Sequence, residues 1–86
     1  MELKDTVELM TSPHWKDRFL AEYLQTKIRY KKLHKMIVKR EVGKCDFDTP
    51  IPLSSWKMQA QAMGVYLFEL EKQAILHGIE LPEVKC

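Results

Sequence analysis

Two stretches of the chain decide its fold: FLAEYLQTKIRYKKLHKMI at residues 19–37 and LSSWKMQAQAMGVYLFELEKQA at residues 53–74. In each stretch, apolar residues recur in alternating steps of three and four, which is the register of helices packed along one seam. The connection between them is short, so the second helix should return antiparallel to the first. The first seam contains Phe19, Tyr23, Thr26, Tyr30, Leu33 and Ile37, and the second contains Leu53, Trp56, Ala60, Met63, Leu67, Leu70 and Ala74.

Helix start and stop signals set the boundaries within a single all-α domain of 86 residues. Ser12 and Pro13 suit the N-cap and the first position of a long helix, which Gly43 should end. Two prolines exclude regular helix from the segment that follows, and Gly78 should end the second helix. We predict a short helix at 3–10, a long helix at 13–42, a turn at 43–52, a long helix at 53–77 and a tail at 78–86 that lies extended against the hairpin.

The composition indicates a cytosolic protein. The sequence has no apolar run resembling a signal peptide and no segment near the roughly 20 apolar residues that cross a bilayer. Its two cysteines, Cys45 and Cys86, lack the spacing of a disulfide framework, and a bond between them is not favoured in the reducing cytosol. We therefore expect no membrane partner.

No pattern in the chain is typical of a catalytic or metal site. The three histidines, His14, His34 and His77, are scattered and lack the HxxxH or HxH spacing of metal ligands. Glu69 and Glu71 are two positions apart on a helix and point in different directions, which does not suit paired acid and base groups. We expect a protein that is not an enzyme and that uses no cofactor or metal.

Positive charge is concentrated on the first long helix, although the whole chain carries only +2. Residues 23–40 contain seven basic side chains and no acidic one. Like charges three or four positions apart repel by a few tenths of a kcal/mol per pair, so this helix suits an anionic partner. A solvated lysine surface explains the same pattern and remains the alternative.

Aromatic rings next to these cations add to the functional interpretation, because such a surface can hold a phosphate and stack on a base. Duplex DNA binding is not expected, since no helix-turn-helix or zinc module is visible. The candidate site for a ligand or partner comprises Tyr23, Lys27, Tyr30, Lys31, His34 and Lys35.

The second long helix has more apolar surface than one seam uses. Residues 58–68 contain no charged side chain, and a helix that is apolar on more than one face is normally buried on more than one. The N-terminal helix, the tail or another copy of the chain could supply the cover, and we favour another copy in a homo-oligomer. Gly64 lies mid-helix at a cost of about 1 kcal/mol relative to Ala, which a close helix crossing would explain. The candidate self-association residues are Met58, Ala62, Val65 and Phe68.

The run WKDRFLAEYLQTKIRYKKLHKMIVKRE at residues 15–41, followed by a turn and SSWKMQAQAMGVYLFELEKQA, resembles a family of small helical-hairpin proteins carried by bacteriophages and prophages. The second helix of that family contains a Gln-x-x-x-Met-x-x-Tyr core, here Gln59, Met63 and Tyr66. The layout is more distantly similar to the helical-hairpin sponges with which phages sequester cyclic-oligonucleotide immune signals. No ligand motif of those sponges matches this chain, so the resemblance implies a counter-defence role without assigning binding residues.

We therefore predict a non-enzymatic phage protein of the host cytosol that binds an anionic target. The target would be a nucleotide immune signal held between protomers or an acidic surface on a host defence protein. The alternative is an anti-CRISPR-type inhibitor that binds a nuclease effector. A third possibility is a small phage accessory protein whose hairpin serves only for dimerisation.

Overall fold

The computed structural model describes residues 1–83, and this part of the chain is helical with no strand. A 3-10 turn at Leu3–Thr6 runs directly into α1 (Val7–Met10), and α2 (Trp15–Glu41) and α3 (Leu53–His77) follow. Contacts between Trp15 and His77 and between Glu41 and Lys57 join opposite ends of α2 and α3, which therefore form an antiparallel hairpin. The predicted all-α hairpin with a short N-terminal helix is confirmed. The last part of the predicted tail, residues 84–86 with Cys86, lies outside the described residues.

The N-terminal boundary of α2 differs from the prediction by two residues. Pro13 precedes the helix, and His14 serves as the N-cap with an extended backbone (φ −87°, ψ 125°), so the first helical residue is Trp15. Ser12 still organises this end, because its Oγ accepts a bond from the His14 N–H (3.2 Å) and donates to the Asp17 carboxylate (2.8 Å). The helix ends at Glu41, one residue before the predicted end, while Leu53 and His77 bound α3 as predicted.

Gly78 ends α3 in the left-handed conformation, with φ of 66°. Its N–H donates to the Ile75 carbonyl (3.2 Å), and the Ile79 N–H donates to the Ala74 carbonyl (2.8 Å). These bonds satisfy carbonyl groups that the helix end would leave unpaired, at a backbone conformation that other residues rarely adopt.

The hairpin core follows the two predicted seams, and a second layer adds to it. Tyr23, Leu67 and Leu70 from the seams are buried in one cluster. Leu24 and Ile28 are even more buried, at 1% and 0% exposed, although they lie beside the first seam. The N-terminal segment, which we define as residues 3–10, covers them, and its leucines pack against the same cluster.

A polar contact also ties the N-terminal segment to α2. Thr6 is fully buried, and its hydroxyl donates to the Leu3 carbonyl (2.7 Å) while accepting a bond from Gln25 Nε2 (2.9 Å). This buried hydroxyl therefore acts both as a hydrogen-bond donor and as an acceptor. The segment lies on α2 and leaves the outer face of α3 uncovered.

The outer face of α3 is open to solvent in the single chain. Met58, Val65, Phe68 and Ile75 are 70%, 61%, 58% and 80% exposed. Within residues 1–83, neither the N-terminal segment nor the tail supplies the intramolecular cover that the sequence left open as an alternative. Gly64 lies on the opposite flank beneath the Tyr30 ring, whose Cε1 would be 3.6 Å from an added Cβ. The close approach expected at Gly64 is thus made by a side chain, with room for a methyl group.

Candidate ligand-binding groove on α2

The basic half of α2 carries a groove of about 630 Å³. That volume lies within the range of about 300 to 1,000 Å³ that is usual for small-molecule sites. Steps of one, three and four positions place the lining side chains on one side of the helix. We call this site the α2 groove, and the described residues that line it are Tyr30, Lys31, His34, Lys35, Val38 and Lys39.

Two aromatic rings form one edge of the α2 groove. The Tyr30 and His34 rings are stacked, with centroids 6.5 Å apart and planes 22° from parallel. Tyr30 is half-buried and rests against Gly64 and the core, so α3 supports its ring, whereas His34 is exposed. Nearly parallel rings at a solvent-facing site can stack on a flat ligand ring.

Three lysines form the other edge. Lys31, Lys35 and Lys39 follow each other at steps of four, so their backbone positions span about 12 Å along the helix axis. Lys39 Nζ lies 3.7 Å from the Asp46 carboxylate, and both side chains are well exposed, so this surface pair is weak and can exchange. Lys35 pairs with no carboxylate of residues 1–83. The lysines thus give the groove a positive potential that attracts anions.

The α2 groove continues a side of α2 that is buried in the first half of the helix. Leu24, Ile28, Lys31 and Lys35 follow at steps of four, three and four, so they lie along one side of α2. Leu24 and Ile28 are buried in the core cluster, against which Leu3 and Leu9 of the N-terminal segment pack. Farther along the same side of α2, Lys31 and Lys35 instead line the α2 groove.

Four of the six residues predicted to contact a ligand or partner line the α2 groove, namely Tyr30, Lys31, His34 and Lys35. Tyr23 does not, because it is only 6% exposed in the core cluster, and its ring is unavailable to a ligand. Burial, and then the negative charge of Glu71, raises the pKa of Tyr23. Lys27 is half-buried and is not among the described residues that line the α2 groove.

Two lining residues, Val38 and Lys39, were missing from the predicted site. The helical period contained the signal for both. Val38 follows Tyr30 and His34 at steps of four, and Lys39 follows Lys31 and Lys35 in the same way. Continuing the two rows by one more turn of the helix would have added both of these lining residues.

The predicted self-association residues lie together on a second surface. Met58, Ala62, Val65 and Phe68 are all exposed on the outer face of α3. Lys72 folds back along this face, with its Nζ 5.0 Å from the centre of the Phe68 ring and 2.8 Å from a Glu69 carboxylate oxygen. The chain therefore has a cationic groove on α2 and a mostly apolar surface on α3.

Other kinds of site find no support in the described residues. No group of three or more His, Cys, Asp or Glu side chains in the range 1–83 could hold a metal ion. Over the same range, each helix is too short or too polar to cross a membrane. Tyr66, from the quoted family core, is on the surface, where its hydroxyl donates to Glu22 (3.0 Å).

Comparison with known proteins gives one match. The family model Sequestin matches residues 13–72, a range that contains all of α2, the turn, most of α3 and the six described residues that line the α2 groove. No curated protein and no solved structure matches the chain. Because the match covers well over half of its length, the chain belongs to the Sequestin family.

Proposed function

We propose that this protein sequesters an anionic nucleotide signal in the α2 groove and does no chemistry on it. The observation that carries the proposal is the stacked Tyr30–His34 pair beside a row of three lysines in one groove. A nucleotide has both a flat ring and phosphates, so its two parts match the two edges of the site. The name of the family is compatible with a binding role of this kind.

Each edge of the groove would recognise a different part of the ligand. The lysine ammonium groups donate charge-assisted hydrogen bonds to phosphate oxygens. The base stacks on Tyr30 or His34, which is worth about 1 to 3 kcal/mol per base in proteins that bind single strands. Val38 adds an apolar contact to the row that Tyr30 and His34 begin.

Sequestration needs no active site, because binding alone lowers the free concentration of a signal. A protein present above the concentration of the signal, with a Kd well below it, leaves little free ligand for a receptor. We propose that this occurs in the cytosol of a bacterial host, where a phage protein would suppress an immune response by removing its nucleotide messenger.

The direct test combines a ligand panel with a charge reversal in the groove. Cyclic dinucleotides and cyclic ADP-ribose isomers are titrated calorimetrically into the protein, and we expect at least one to bind. In the variant K31E/K35E/K39E, we expect its affinity to fall about 100-fold or more, corresponding to about 2.7 kcal/mol. Far-UV circular dichroism should show an unchanged helix content, because these side chains lie outside the buried core.

A matched control separates the groove from net charge. The variant R29E/K32E/K44E changes the charge by the same amount at three exposed basic residues outside the lining. We expect its affinity to fall only about threefold, since these side chains do not line the groove and exposed charges are partly screened by salt. No binding across the panel, or equal losses in the two triple variants, would contradict the proposal.

The alternative of an anti-CRISPR-type inhibitor has one observation in its favour. Arg29 and Lys32 are exposed on other sides of α2, so the basic surface extends beyond the groove. A protein partner with an acidic face could contact this wider surface. Capture of a purified nuclease effector complex, abolished by R29E/K32E/K44E and accompanied by a negative nucleotide panel, would favour this alternative.

A further inference from the structure

Gly64 lies in the middle of α3, where the backbone conformation does not require a glycine. The glycines with positive φ are Gly43 and Gly78, so Gly64 has a conformation that any residue could adopt. Glycine is nevertheless less favourable than alanine inside a helix. What distinguishes this position is the side chain that lies over it.

That side chain is Tyr30, which approaches Gly64 with the phenol end of its ring. A Cβ added to Gly64 would have as its three nearest neighbours Tyr30 Cε1 at 3.6 Å, Oη at 3.8 Å and Cζ at 4.0 Å. These are ordinary van der Waals distances, so a methyl group fits. A further carbon, about 1.5 Å beyond the Cβ, would need the space that the ring occupies.

The same ring belongs to the α2 groove. Tyr30 lines the groove, and its ring is 22° from parallel with that of His34. The half-buried ring also packs against the core cluster, which limits how it can move. A side chain that pushed the phenol end away from α3 would therefore tilt the ring relative to His34.

We propose that Gly64 is a positioning residue for the aromatic edge of the α2 groove, because its missing side chain lets Tyr30 lie against the α3 backbone and nearly parallel to His34. This role rests on the proposed function, in which a base stacks on that edge. Gly64 is not among the described lining residues, so it acts on a ligand through Tyr30. The residue at position 64 then governs stacking on the base and leaves the phosphate contacts of the lysines unchanged.

Two substitutions at position 64 separate this role from helix stability. Alanine and valine both favour a helix more than glycine does, but valine also fills two of the three staggered positions around its Cβ. Gly64→Ala is the matched control, and we expect a higher melting temperature and a nucleotide affinity within about twofold of the parent. In Gly64→Val, we expect the nucleotide affinity to fall about tenfold or more, because base stacking is impaired.

A probe without a base shows whether the loss concerns stacking. The nucleotide probes are cyclic dinucleotides and cyclic ADP-ribose isomers, and the comparison probe is inorganic pyrophosphate, which can contact the lysines but cannot stack. Gly64→Val should bind pyrophosphate within about twofold of Gly64→Ala, since the lysine row is intact. Equal nucleotide affinities of the two variants, or a parallel loss of pyrophosphate binding, would overturn the proposal.

Nuclear magnetic resonance tests the position of the ring without a ligand. The ring current of Tyr30 acts on His34, so the His34 ring-proton resonances should differ between Gly64→Val and Gly64→Ala. The resonances of His14 and His77 are internal controls, because both residues lie beside Trp15 at the opposite end of the hairpin and should not move. Unmoved His34 resonances would overturn the proposal. Moved resonances in a protein whose parent binds no nucleotide would support the positioning of Tyr30 and count against the proposed function.

A second background covers the case in which Gly64→Val does not fold. Tyr30→Ala frees the space above position 64, so the variant Y30A/G64V should recover the helix content of the parent by circular dichroism. Recovery would show that the valine and the Tyr30 ring compete for one space. Loss of folding in both backgrounds would overturn the proposal.

Discussion

The two halves of α2 use the same side of one helix in opposite ways. In the first half, the side that carries Leu24 and Ile28 is buried beneath the N-terminal segment. In the second half, that side carries Lys31 and Lys35, which line the α2 groove. The difference shows that one side of a continuous helix can be buried in one stretch and line a surface groove in the next.

The largest expected effect is on stability in the covered half. Leu24→Ala removes a side chain that is 1% exposed, and we expect the free energy of unfolding to fall by about 2 to 5 kcal/mol. Val38→Ala in the open half should cost less than about 0.5 kcal/mol, because its side chain is 48% exposed. Urea unfolding of both variants measures the contrast, and similar losses would show that the two halves do not differ as described.

A smaller effect is expected at Gln25, which lies between Leu24 and Ile28 in the covered half. Gln25→Leu removes the amide that donates to buried Thr6, and we expect a loss of about 1 kcal/mol. Amide hydrogen exchange should accelerate in the N-terminal segment, because this bond ties it to α2. Gln73→Leu at an exposed position of α3 is the control and should leave that exchange unchanged. If both variants exchange alike, the bond does not hold the segment in place.

The smallest effect is a pH dependence of the free energy of unfolding, which arises from Tyr23 in the covered half. Burial raises the pKa of Tyr23 from its ordinary value of 10.0, so the folded protein keeps a proton that the unfolded chain loses. The associated stability is fully present below pH 10 and is lost as the pH rises above it. Urea unfolding from pH 8 to pH 11 should show a shallower alkaline decline in Tyr23→Phe than in the parent. An identical decline would mean that Tyr23 does not contribute to it.

Tyr66 adds to the same alkaline decline from outside the core. Burial raises its pKa, and the hydrogen bond to Glu22 and the charge of that carboxylate raise it further. Tyr66→Phe therefore separates this surface contribution from that of Tyr23.

The fold was largely predictable because its signals are local. The hairpin and both ends of α3 were indicated by the periodic seams, the prolines of the turn and Gly78. Each of these signals acts within a few residues. Deep burial of Leu24 and Ile28 was not predictable in this way, since it depends on where the N-terminal segment docks. That docking rests on one buried threonine and a few leucines, which leave little pattern in a short sequence.

The structure places four of the six predicted ligand-contact residues along the α2 groove and buries Tyr23, and this difference has a geometric cause. Neighbouring positions on a helix point about 100° apart. In a stretch rich in basic and aromatic residues, residue type alone does not distinguish a position on the seam from one beside it. Tyr23 was therefore included although it belongs to the core. The sequence also showed that α3 has a surplus apolar face, but it did not show that the rest of the chain leaves this face open.

The compact location of the α2 groove has a consequence for how the family can diversify. The six described lining residues fall within ten consecutive positions, and Tyr30 among them also packs against the core. Substitutions at the other five can alter charge, shape and ligand preference with little penalty to folding. The chemistry of the α2 groove could therefore change through a few point mutations in one short segment of the gene.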